Sequence, residues 1–321
     1  MRDTDYAFCV ARIRANETRL LDSDFINRLV DSSGYNEAVR MLSEKGWMDV
    51  NDTISQAAKK QSKELWQLLS ESVPDKKELD CLCTLNDYFN IKTAVKCALT
   101  GLNADDYFVF PTSVDLHTLT KEIKTHNFNA LPGNIADCAE KAYDIANKTE
   151  NGQNADAIID RAALEILNEY AQRTKNKILS EVFAFTVDTS AIKIALRCAY
   201  TNKNEDFADA SIPSCSFLER DRLIAACTSD IEALYSYLLS GRYSEAVELY
   251  RKSPVAFDKW CDDKIIDIVK GAKYTAFGFG PVCAFNYAKL TEIKTVRIIL
   301  TSKLSGVSKD VIMERVRASY A

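Results

Sequence analysis

Apolar residues along this chain recur at the three- and four-residue intervals of amphipathic helices. A first helix is predicted from Tyr6 towards Leu21, and a second begins with Ser23 or Asp24 as its cap. A third begins at Tyr35, directly after a Ser-Gly pair that ends the second. The whole chain contains six prolines and ten glycines, a scarcity that favours long helices over strands joined by tight turns. We therefore expect an all-α fold.

A longer helix is predicted between residues 155 and 177. Asp156 lies near its start, where the partial positive charge of a helix terminus favours a carboxylate. The apolar residues of this segment are expected to share one face. They are Ile158, Ile159, Ala162, Ile166 and Tyr170.

Three short segments with a common pattern lie at a fixed interval, and we call them the Ile-Lys boxes. They are Asn-Ile-Lys-Thr-Ala-Val-Lys at 90–96, Ala-Ile-Lys-Ile-Ala-Leu-Arg at 191–197 and Glu-Ile-Lys-Thr-Val-Arg at 292–297. The Ile-Lys pairs begin at Ile91, Ile192 and Ile293, so both steps are 101 residues. Solenoid repeats run to roughly 20–50 residues, so this period indicates a domain used three times.

A second recurring phrase follows the boxes. Tyr35 and Tyr243 each begin an aromatic, polar, Glu-Ala-Val sequence, and Phe128 begins a fainter echo. The phrase at Tyr35 has no box before it, and the box at Ile293 has no phrase after it. Joining the two would let the C-terminal helix complete the N-terminal unit and close a ring; a linear array of incomplete units is the alternative. The predicted domains are residues 1–78 with 289–321, residues 79–180, and residues 181–288.

Each box carries two basic residues about one helical turn apart, beside an apolar stripe. Like charges at this spacing destabilise a helix by roughly 0.2–0.5 kcal/mol. Acidic neighbours within the fold, or a partner protein docking where three such helices converge, are expected to offset them. The basic residues are Lys92, Lys96, Lys193, Arg197, Lys294 and Arg297. The stripes are Ile91, Val95 and Leu99 in the first box and Ile192, Leu196 and Tyr200 in the second.

Acidic residues precede the boxes. Asp87 and Asp188 each lie five residues before the box lysine, where they are expected to cap or charge-stabilise a helix start. The third box departs from this pattern, because Glu292 lies nearer its lysine and Arg297 follows that lysine by three residues instead of four. Strict three-fold symmetry is therefore not expected.

Charge and hydropathy narrow the class of protein. With 41 Lys and Arg against 46 Asp and Glu, the net charge of −5 disfavours a nucleic-acid-binding protein. Residues 289–321 carry seven basic and three acidic residues, which predicts a docking surface for an acidic partner or a solvated amphipathic helix. The start of the chain lacks the basic region and apolar core of a signal peptide. The longest uncharged run, residues 274–288, is shorter than the ~20 residues of a membrane helix.

No catalytic, cofactor-binding or metal-binding residues are predicted. Ten cysteines occur with two histidines and no C-x-x-C, so buried free thiols are expected. Cys97 and Cys198 each follow the second basic residue of a box, which indicates packing. The segment 278–283 lacks the glycine pattern of a dinucleotide loop, and phosphate-loop and nucleophile-elbow motifs are absent from the sequence. The adjacent Asp262 and Asp263 are expected on a solvated face.

The C-terminal region resembles a known protein family. The stretch from Phe277 to Leu300, with Glu314–Tyr320, is similar to the C-terminal signature of the C subunit of V-type and A-type rotary ATPases, called the d subunit in the eukaryotic V-ATPase. The opening segment Tyr6–Arg14, the boxes and the total length also resemble that family. The resemblance covers essentially the whole chain, and its C-terminal part is the most specific.

The resemblance implies an all-helical funnel of three related domains around a pseudo-three-fold axis, with a central cavity. It implies a non-catalytic socket that connects the central shaft, built of D- and F-type subunits, to the membrane rotor ring of c- or K-type subunits. Such a socket transmits torque for ATP-driven H⁺ or Na⁺ transport and lies peripherally on the cytoplasmic face of the membrane. Apolar loops are expected to face the ring and polar groups the shaft.

The six basic box residues are the candidates for facing the shaft or the cavity, with Lys96, Arg197 and Arg297 expected at the cavity. Lys96 stands where the family pattern has Arg. The main alternative is a helical adaptor unrelated to rotary ATPases, and the absent motifs disfavour a hydrolase. The coupled ion stays open, because its binding site would lie in another protein of the complex.

Overall fold

Every regular element that the structure describes is helical. The structure is a computed structural model, and it describes residues 2–149 and 152–321. Within those ranges the helices are α1 (Ala7–Glu17), α2 (Ser23–Asp31), α3 (Tyr35–Glu44), α4 (Ile54–Ser72), α5 (Asp80–Thr100), α6 (Leu116–Thr125), α7 (Gly133–Thr149), α8 (Gly152–Arg173), α9 (Lys177–Tyr200), α10 (Glu205–Ser211), α11 (Arg220–Ser229), α12 (Ile231–Leu239), α13 (Ser244–Lys252), α14 (Pro254–Lys270), α15 (Gly280–Leu304) and α16 (Lys309–Met313). Short 3-10 helices cover Asp3–Tyr6, Lys76–Leu79, Ala104–Asp106 and Gly271–Tyr274. The all-α prediction is confirmed. In the described ranges, the helices all lack the combination of length and apolar character that spanning a bilayer requires.

The start of α2 is set by a side-chain cap. Asp22 has an extended backbone, and its Oδ1 accepts a hydrogen bond from the Phe25 backbone N–H at 2.7 Å. The cap is therefore Asp22, which lies one residue before Ser23 and two before Asp24, the two predicted positions. Such a cap satisfies one of the unpaired N–H groups of the first turn and contributes about 1 kcal/mol. Helix α3 begins at Tyr35, as predicted.

Helix α8 begins and ends a few residues earlier than predicted, and it buries a different set of side chains. Ile159 is buried as expected, but Tyr170 of the predicted face is 38% exposed. Because α8 packs against both α5 and α7, alanines on its second side are also buried. A pattern that counts only large apolar residues misses these alanines. The buried residues are Ala155, Ala157, Ile159, Ala163, Leu164, Leu167, Asn168 and Ala171.

The chain divides into two compact units. Unit 1 comprises Met1–Lys76, Lys175–Val182 and Glu245–Ala321. Unit 2 comprises Lys77–Thr174 and Phe183–Ser244. Unit 1 is therefore built from segments at both ends of the chain.

In unit 1 the C-terminal helices share one apolar core with the N-terminal helices. Helix α15 packs against α3 and α4, and α16 packs against α2. Complete burial of an Ile or Leu side chain contributes roughly 1.5–3 kcal/mol, so this shared core holds the two ends of the chain together. Its C-terminal members are Ile293, Val296, Ile299, Leu300, Ile312 and Val316, and its N-terminal members include Leu21, Phe25, Leu29, Leu42 and Trp47.

In unit 2 an equivalent packing is formed within one segment of the chain. Helix α5 packs against α8 and α7, as α15 packs against α4 in unit 1. Helices α5 and α15 each carry an Ile-Lys box. Helix α5 lies against α8, which precedes the box helix α9 in the chain, and α15 lies against α4, which precedes the box helix α5. The buried core here includes Ile91, Val95, Leu119, Ile123, Ala139 and Ile159.

Candidate functional site

The three Ile-Lys boxes lie in the C-terminal halves of three long helices, α5, α9 and α15. The predicted apolar stripes are buried over their first two members in α5 and α9. The last members are not, since Leu99 is 39% and Tyr200 56% exposed. The ends of these two helices thus project beyond the apolar core. Tyr200 is anchored there by a 2.6 Å hydrogen bond between its hydroxyl and that of Tyr235.

The two lysines of the first box are neutralised by carboxylates on α8. Lys92 Nζ lies 2.7 Å from Asp160 Oδ1, and Lys96 Nζ lies 2.7 Å from Asp156 Oδ2. Both aspartates belong to unit 2, as do the lysines. Acidic neighbours within the fold therefore offset the like charges of this box, one of the two expectations from the sequence. Asp156, predicted to stabilise a helix start, pairs instead with a second helix.

The third box has one neutralised and one exposed basic residue. Lys294 Nζ lies 2.5 Å from Asp262 Oδ2 on α14. Arg297 is exposed and forms no ion pair with any residue that the structure describes. In the second box, Lys193 and Arg197 are both exposed, and Arg197 likewise forms no ion pair within residues 2–149 and 152–321. The six candidates therefore differ, and two arginines have charge available to a partner.

The adjacent Asp262 and Asp263 fasten the C-terminal segment and do not form a solvated face. Besides Lys294, Asp262 Oδ2 accepts a hydrogen bond from Arg317 Nε at 2.7 Å. Asp263 Oδ1 accepts one from the Ala318 backbone N–H at 2.6 Å. The solvated-face prediction is wrong because residues 317 and 318 fold back onto α14, a contact that no local pattern reveals.

Most of the basic charge in residues 289–321 is taken up inside unit 1. Five of the seven basic side chains bind carboxylates or carbonyls of that unit, among the residues that the structure describes. These contacts are Lys289 with Glu292, Lys294 and Arg317 with Asp262, Lys303 with the carbonyls of Val30 and Ser32, and Lys309 with Asp31. Neither the acidic-partner surface nor the solvated helix describes this tail well, because its charges chiefly hold the fold together.

Asp87 and Asp188 lie in the middle of α5 and α9 and are buried, so the prediction that they mark helix starts is wrong. Asp87 accepts hydrogen bonds from Thr112 Oγ1 at 2.5 Å and from the N–H and Oγ of Ser113 at 2.9 and 2.6 Å. Each aspartate binds the loop that follows a proline, at Pro111 or Pro213. We call this contact a carboxylate tether.

The tether of Asp188 uses two backbone groups and one side chain. Its oxygens accept from the N–H groups of Ser216 and Phe217 at 2.8 and 3.0 Å, and from the Tyr243 hydroxyl at 2.9 Å. Burial raises the pKa of Asp188, and the three hydrogen bonds and the Arg242 charge oppose that rise. Burial also raises the pKa of Tyr243 well above its ordinary range. Tyr243 belongs to the recurring aromatic phrase, so the phrase and the box helix α9 meet at this tether.

Glu292 is the corresponding buried carboxylate of the third box. It accepts from the Leu21 N–H at 2.6 Å, from Trp47 Nε1 at 2.9 Å and from Lys289 Nζ at 2.6 Å. In the 101-residue register Lys289 occupies the position of Asp87 and Asp188. The buried carboxylate of the third box therefore lies three residues later in the register than Asp87 and Asp188. Lys289, at the register position, forms an ion pair with it.

The tethers could have been anticipated in part. Pro111 and Pro213 follow their Ile-Lys pairs by similar intervals, and each is followed within three residues by Ser residues that donate to a tether. Asn90 contributes a further contact, because its side chain both accepts from and donates to the Val109 backbone at 2.9 and 3.0 Å. The sequence signal that predicts a carboxylate tether is a proline, followed closely by a serine, at a repeated distance from an aspartate in the middle of a helix.

An exposed aromatic loop precedes α15. Tyr274 is 94% and Phe277 47% exposed. The loop is held against the N-terminus, since Gly278 N–H donates to the Asp3 carbonyl at 3.2 Å and Arg14 Nη2 donates to the carbonyls of Ala272 and Thr275 at 2.6 and 3.0 Å. Gly278 has a φ of +85°, a conformation that favours glycine. Within the segment 278–283, residues 278 and 279 therefore lead into α15, whose first turn is formed by the remaining four residues.

The ionisable side chains of the box helices form ion pairs and carboxylate tethers, which hold the fold rigid. Among residues 2–149 and 152–321, no three His, Cys, Asp or Glu side chains are grouped so as to hold a metal ion. All ten cysteines are free thiols, and nine are buried, with Cys215 half-buried.

Comparison with known proteins gives matches along nearly the whole chain. The family model described as ATP synthase (C/AC39) subunit matches residues 9–315. The C subunit of the V-type sodium ATPase of Enterococcus hirae is 23% identical over 322 residues, covering 96% of this chain and 97% of that protein. The C subunit of the A-type ATP synthase of Methanocaldococcus jannaschii is 23% identical over 340 residues, covering 96% and 85%. That of Methanothermobacter thermautotrophicus is 23% identical over 330 residues, covering 93% and 84%.

Proposed function

The chain belongs to the ATP synthase (C/AC39) subunit family, and from this premise we propose that it is a non-catalytic central-stalk component of a V/A-type rotary ATPase. In this role it is the socket between the central shaft of the catalytic head and the membrane rotor ring. It turns with both and transmits torque, so that ATP hydrolysis in the head drives H⁺ or Na⁺ through the membrane sector. It is held peripherally at the cytoplasmic face by its contact with the ring.

The observation that carries the proposal is the extent of the family match. The match runs over residues 9–315, and the three relatives are C subunits of a V-type sodium ATPase and of two A-type ATP synthases. Their alignments cover 93–96% of this chain, so the likeness is not confined to one module.

We also propose that residues 1–78 with 289–321, 79–180 and 181–288 form three related domains around a pseudo-three-fold axis, in a funnel. Support comes from the equivalent packing of α15 on α4 and of α5 on α8. Further support comes from the buried carboxylate that each box helix uses to tether a loop. Repeated tethers are expected if the three units descend from one ancestral domain.

For the shaft contact we propose Arg197 and Arg297 as the principal residues, with Lys193, which lies four residues before Arg197 on α9, as a further candidate. Both arginines are exposed and have no internal ion pair within the described residues, so binding a shaft carboxylate breaks no existing contact. Lys92, Lys96 and Lys294 already pair with aspartates and would face the cavity as neutralised pairs. For the ring contact we propose the loop containing Tyr274 and Phe277, because its exposed rings gain most from contact with an apolar surface.

Reconstitution tests the proposal. The full chain, the D- and F-type shaft proteins and the detergent-solubilised ring from the same organism are combined and separated by size exclusion. We expect one complex that contains all components, and no shaft–ring complex when this chain is omitted. Failure of the chain to bind either the shaft or the ring would contradict the stalk function and favour a helical adaptor of another assembly.

A further inference from the structure

A groove runs between α13, α14 and α16 in unit 1, and we call it the α13–α14 groove. It encloses a cavity of about 560 Å³, and its lining residues lie between 245 and 315, all in that unit. Leu249 and Trp260 in the lining are half-buried, while Val255 and Val311 are 42% and 37% exposed. Binding sites in proteins typically measure about 300–1,000 Å³. The groove therefore has the volume of a binding site and a partly exposed apolar lining.

The lining follows one face of each of the two helices that name the groove. From α13 it includes Glu245, Leu249 and Lys252, at spacings of four and three residues. From α14 it includes Trp260 and Asp267, at a spacing of seven residues. Residues at these intervals share one helix face, so the groove extends along both helices.

An ion pair fixes the relative direction of α13 and α14. Glu245 Oε2, in the first turn of α13, lies 3.6 Å from Lys264 Nζ in the second half of α14. Lys252 is the last residue of α13 and is joined to α14 through Ser253. The end of α13 therefore lies beside the start of α14, and Lys252 belongs to that end of the groove.

The C-terminal segment brings a second cation to the same end. Lys259 Nζ donates to the Val316 carbonyl at 2.6 Å. Four residues further along α14, Asp263 Oδ1 accepts from the Ala318 N–H at 2.6 Å. The segment thus runs towards the end of α14 as residue numbers rise, and Arg315 lies towards the start of α14.

The unpaired charges of the groove differ between its two ends. Lys252 and Arg315 at one end, and Asp267 at the other, form no ion pair within residues 2–149 and 152–321. Glu314, directly before Arg315, offsets one of the two cations. The lining residues of α14 run from 256 to 267, a rise of about 17 Å. The groove therefore has a basic end and an acidic end about three helical turns apart.

We propose that the α13–α14 groove binds an amphipathic α-helix of a partner protein, with the N-terminal end of that helix at Lys252 and Arg315. Helices favour carboxylates in their first turn and cations in their last turn. In this orientation the first-turn carboxylates meet the two cations, and the last-turn cations meet Asp267. The apolar face of the partner helix covers Trp260 and Val311, the arrangement by which a groove between helices recognises a further helix.

The groove shares no residue with the six basic box residues proposed for the shaft and the cavity. The proposal therefore goes beyond the stalk function. A negative result at the groove leaves the reconstitution with shaft and ring unaffected, and the reverse also holds.

The experiment uses the full chain and two fluorescein-labelled synthetic peptides of about 14 residues, long enough to span the groove. Both are alanine-rich helices with leucines along one face. The first has Glu in its first turn and Lys in its last turn, and the second has these charges exchanged. Fluorescence anisotropy should show that the first peptide binds about tenfold more tightly than the second, with a smaller difference at high salt.

Charge exchange in the protein tests the orientation. The double variant Lys252→Glu with Asp267→Lys reverses the two ends and breaks no ion pair within the described residues. It should prefer the second peptide. A double variant that keeps the preference of the wild type would overturn the proposal, as would equal binding of both peptides, or no binding of either, by the wild-type chain.

Val311→Asp tests the location and has a matched control in Met313→Asp. Both residues belong to α16 and are similarly exposed, at 37% and 40%, but Met313 lies outside the groove lining. A carboxylate among apolar contacts should weaken binding of the first peptide about tenfold in Val311→Asp and leave Met313→Asp unchanged. Circular dichroism establishes that the variants are folded. Equal weakening in both would contradict the site, and a dimer of the chain that dissociates in Val311→Asp would assign the groove to a second copy instead.

Discussion

Tyr243 donates its hydroxyl hydrogen to Asp188 Oδ2 across 2.9 Å, which joins the recurring aromatic phrase to a box helix inside unit 2. Both side chains are buried, at 2% and 0% exposure, so water cannot replace the bond if it is lost. The same carboxylate holds the backbone of residues 216 and 217. Asp188 is thus the point where helix α9, a loop and the aromatic phrase are fixed together.

Tyr243→Phe removes this donor and leaves the ring in place. Loss of a buried hydrogen bond should lower the free energy of unfolding by about 1–2 kcal/mol. Urea denaturation followed by circular dichroism measures the change. Tyr35→Phe is the control, because Tyr35 begins the first phrase and its hydroxyl has no hydrogen bond within the described residues. Equal losses in both variants would mean that the bond to Asp188 contributes nothing.

Stability should also depend on pH through Asp188. Burial raises its folded-state pKa above the ordinary value of 3.8, so the favourable contribution of its protonated form is fully present below that value. This contribution is lost as pH rises through the folded-state pKa. Relative to Asp188→Asn, which cannot titrate, the wild-type chain should therefore lose unfolding free energy as the pH rises from about 3.8 through the raised folded-state pKa of Asp188. Urea midpoints of both proteins across that range test the sign, and a relative gain for the wild type would contradict it.

Glu292→Gln should destabilise unit 1 strongly. The substitution removes the charge that compensates Lys289, itself 14% exposed in its side chain, and turns an amide donor towards donors from Leu21 and Trp47. Breaking a buried ion pair on one side costs roughly 3–5 kcal/mol. Tryptophan fluorescence during urea unfolding monitors the change. Glu314→Gln makes the same substitution at an exposed site of the C-terminal segment and should be nearly neutral.

Charge reversal at Arg197 and Arg297 should weaken shaft binding without loss of stability. Neither arginine makes an ion pair within the described residues, so Arg197→Glu and Arg297→Glu break no internal contact. Each should raise the Kd for the shaft proteins about tenfold, or ~1.4 kcal/mol, with a larger effect at low salt. Isothermal titration calorimetry and thermal melts measure the two quantities.

Lys63→Glu is the control for that experiment, because it reverses one exposed charge outside the boxes. It should leave the Kd unchanged. If all three reversals weaken binding equally, the effect is one of net charge and the boxes hold no special role. If none does, the two arginines do not face the shaft.

The helical class and the start of α3 follow from short-range patterns, and these two predictions agree with the structure. The box pattern also predicts a helix start near Asp87, whereas α5 already begins at Asp80. The partner of Asp87, Ser113, lies 26 residues away. For Glu292 and Leu21 the separation is 271 residues. Such tethers are set by tertiary packing, which the spacing of apolar residues does not encode.

The shared core of unit 1 has a consequence for biosynthesis. Helices α2 and α3 leave the ribosome long before Ile293, Leu300 and Val316, the residues that cover their apolar faces. The apolar faces of the N-terminal helices therefore stay exposed to solvent while the intervening residues are translated. We expect nascent chains that end before residue 293 to be the species that chaperones retain, and translation past residue 316 to release them.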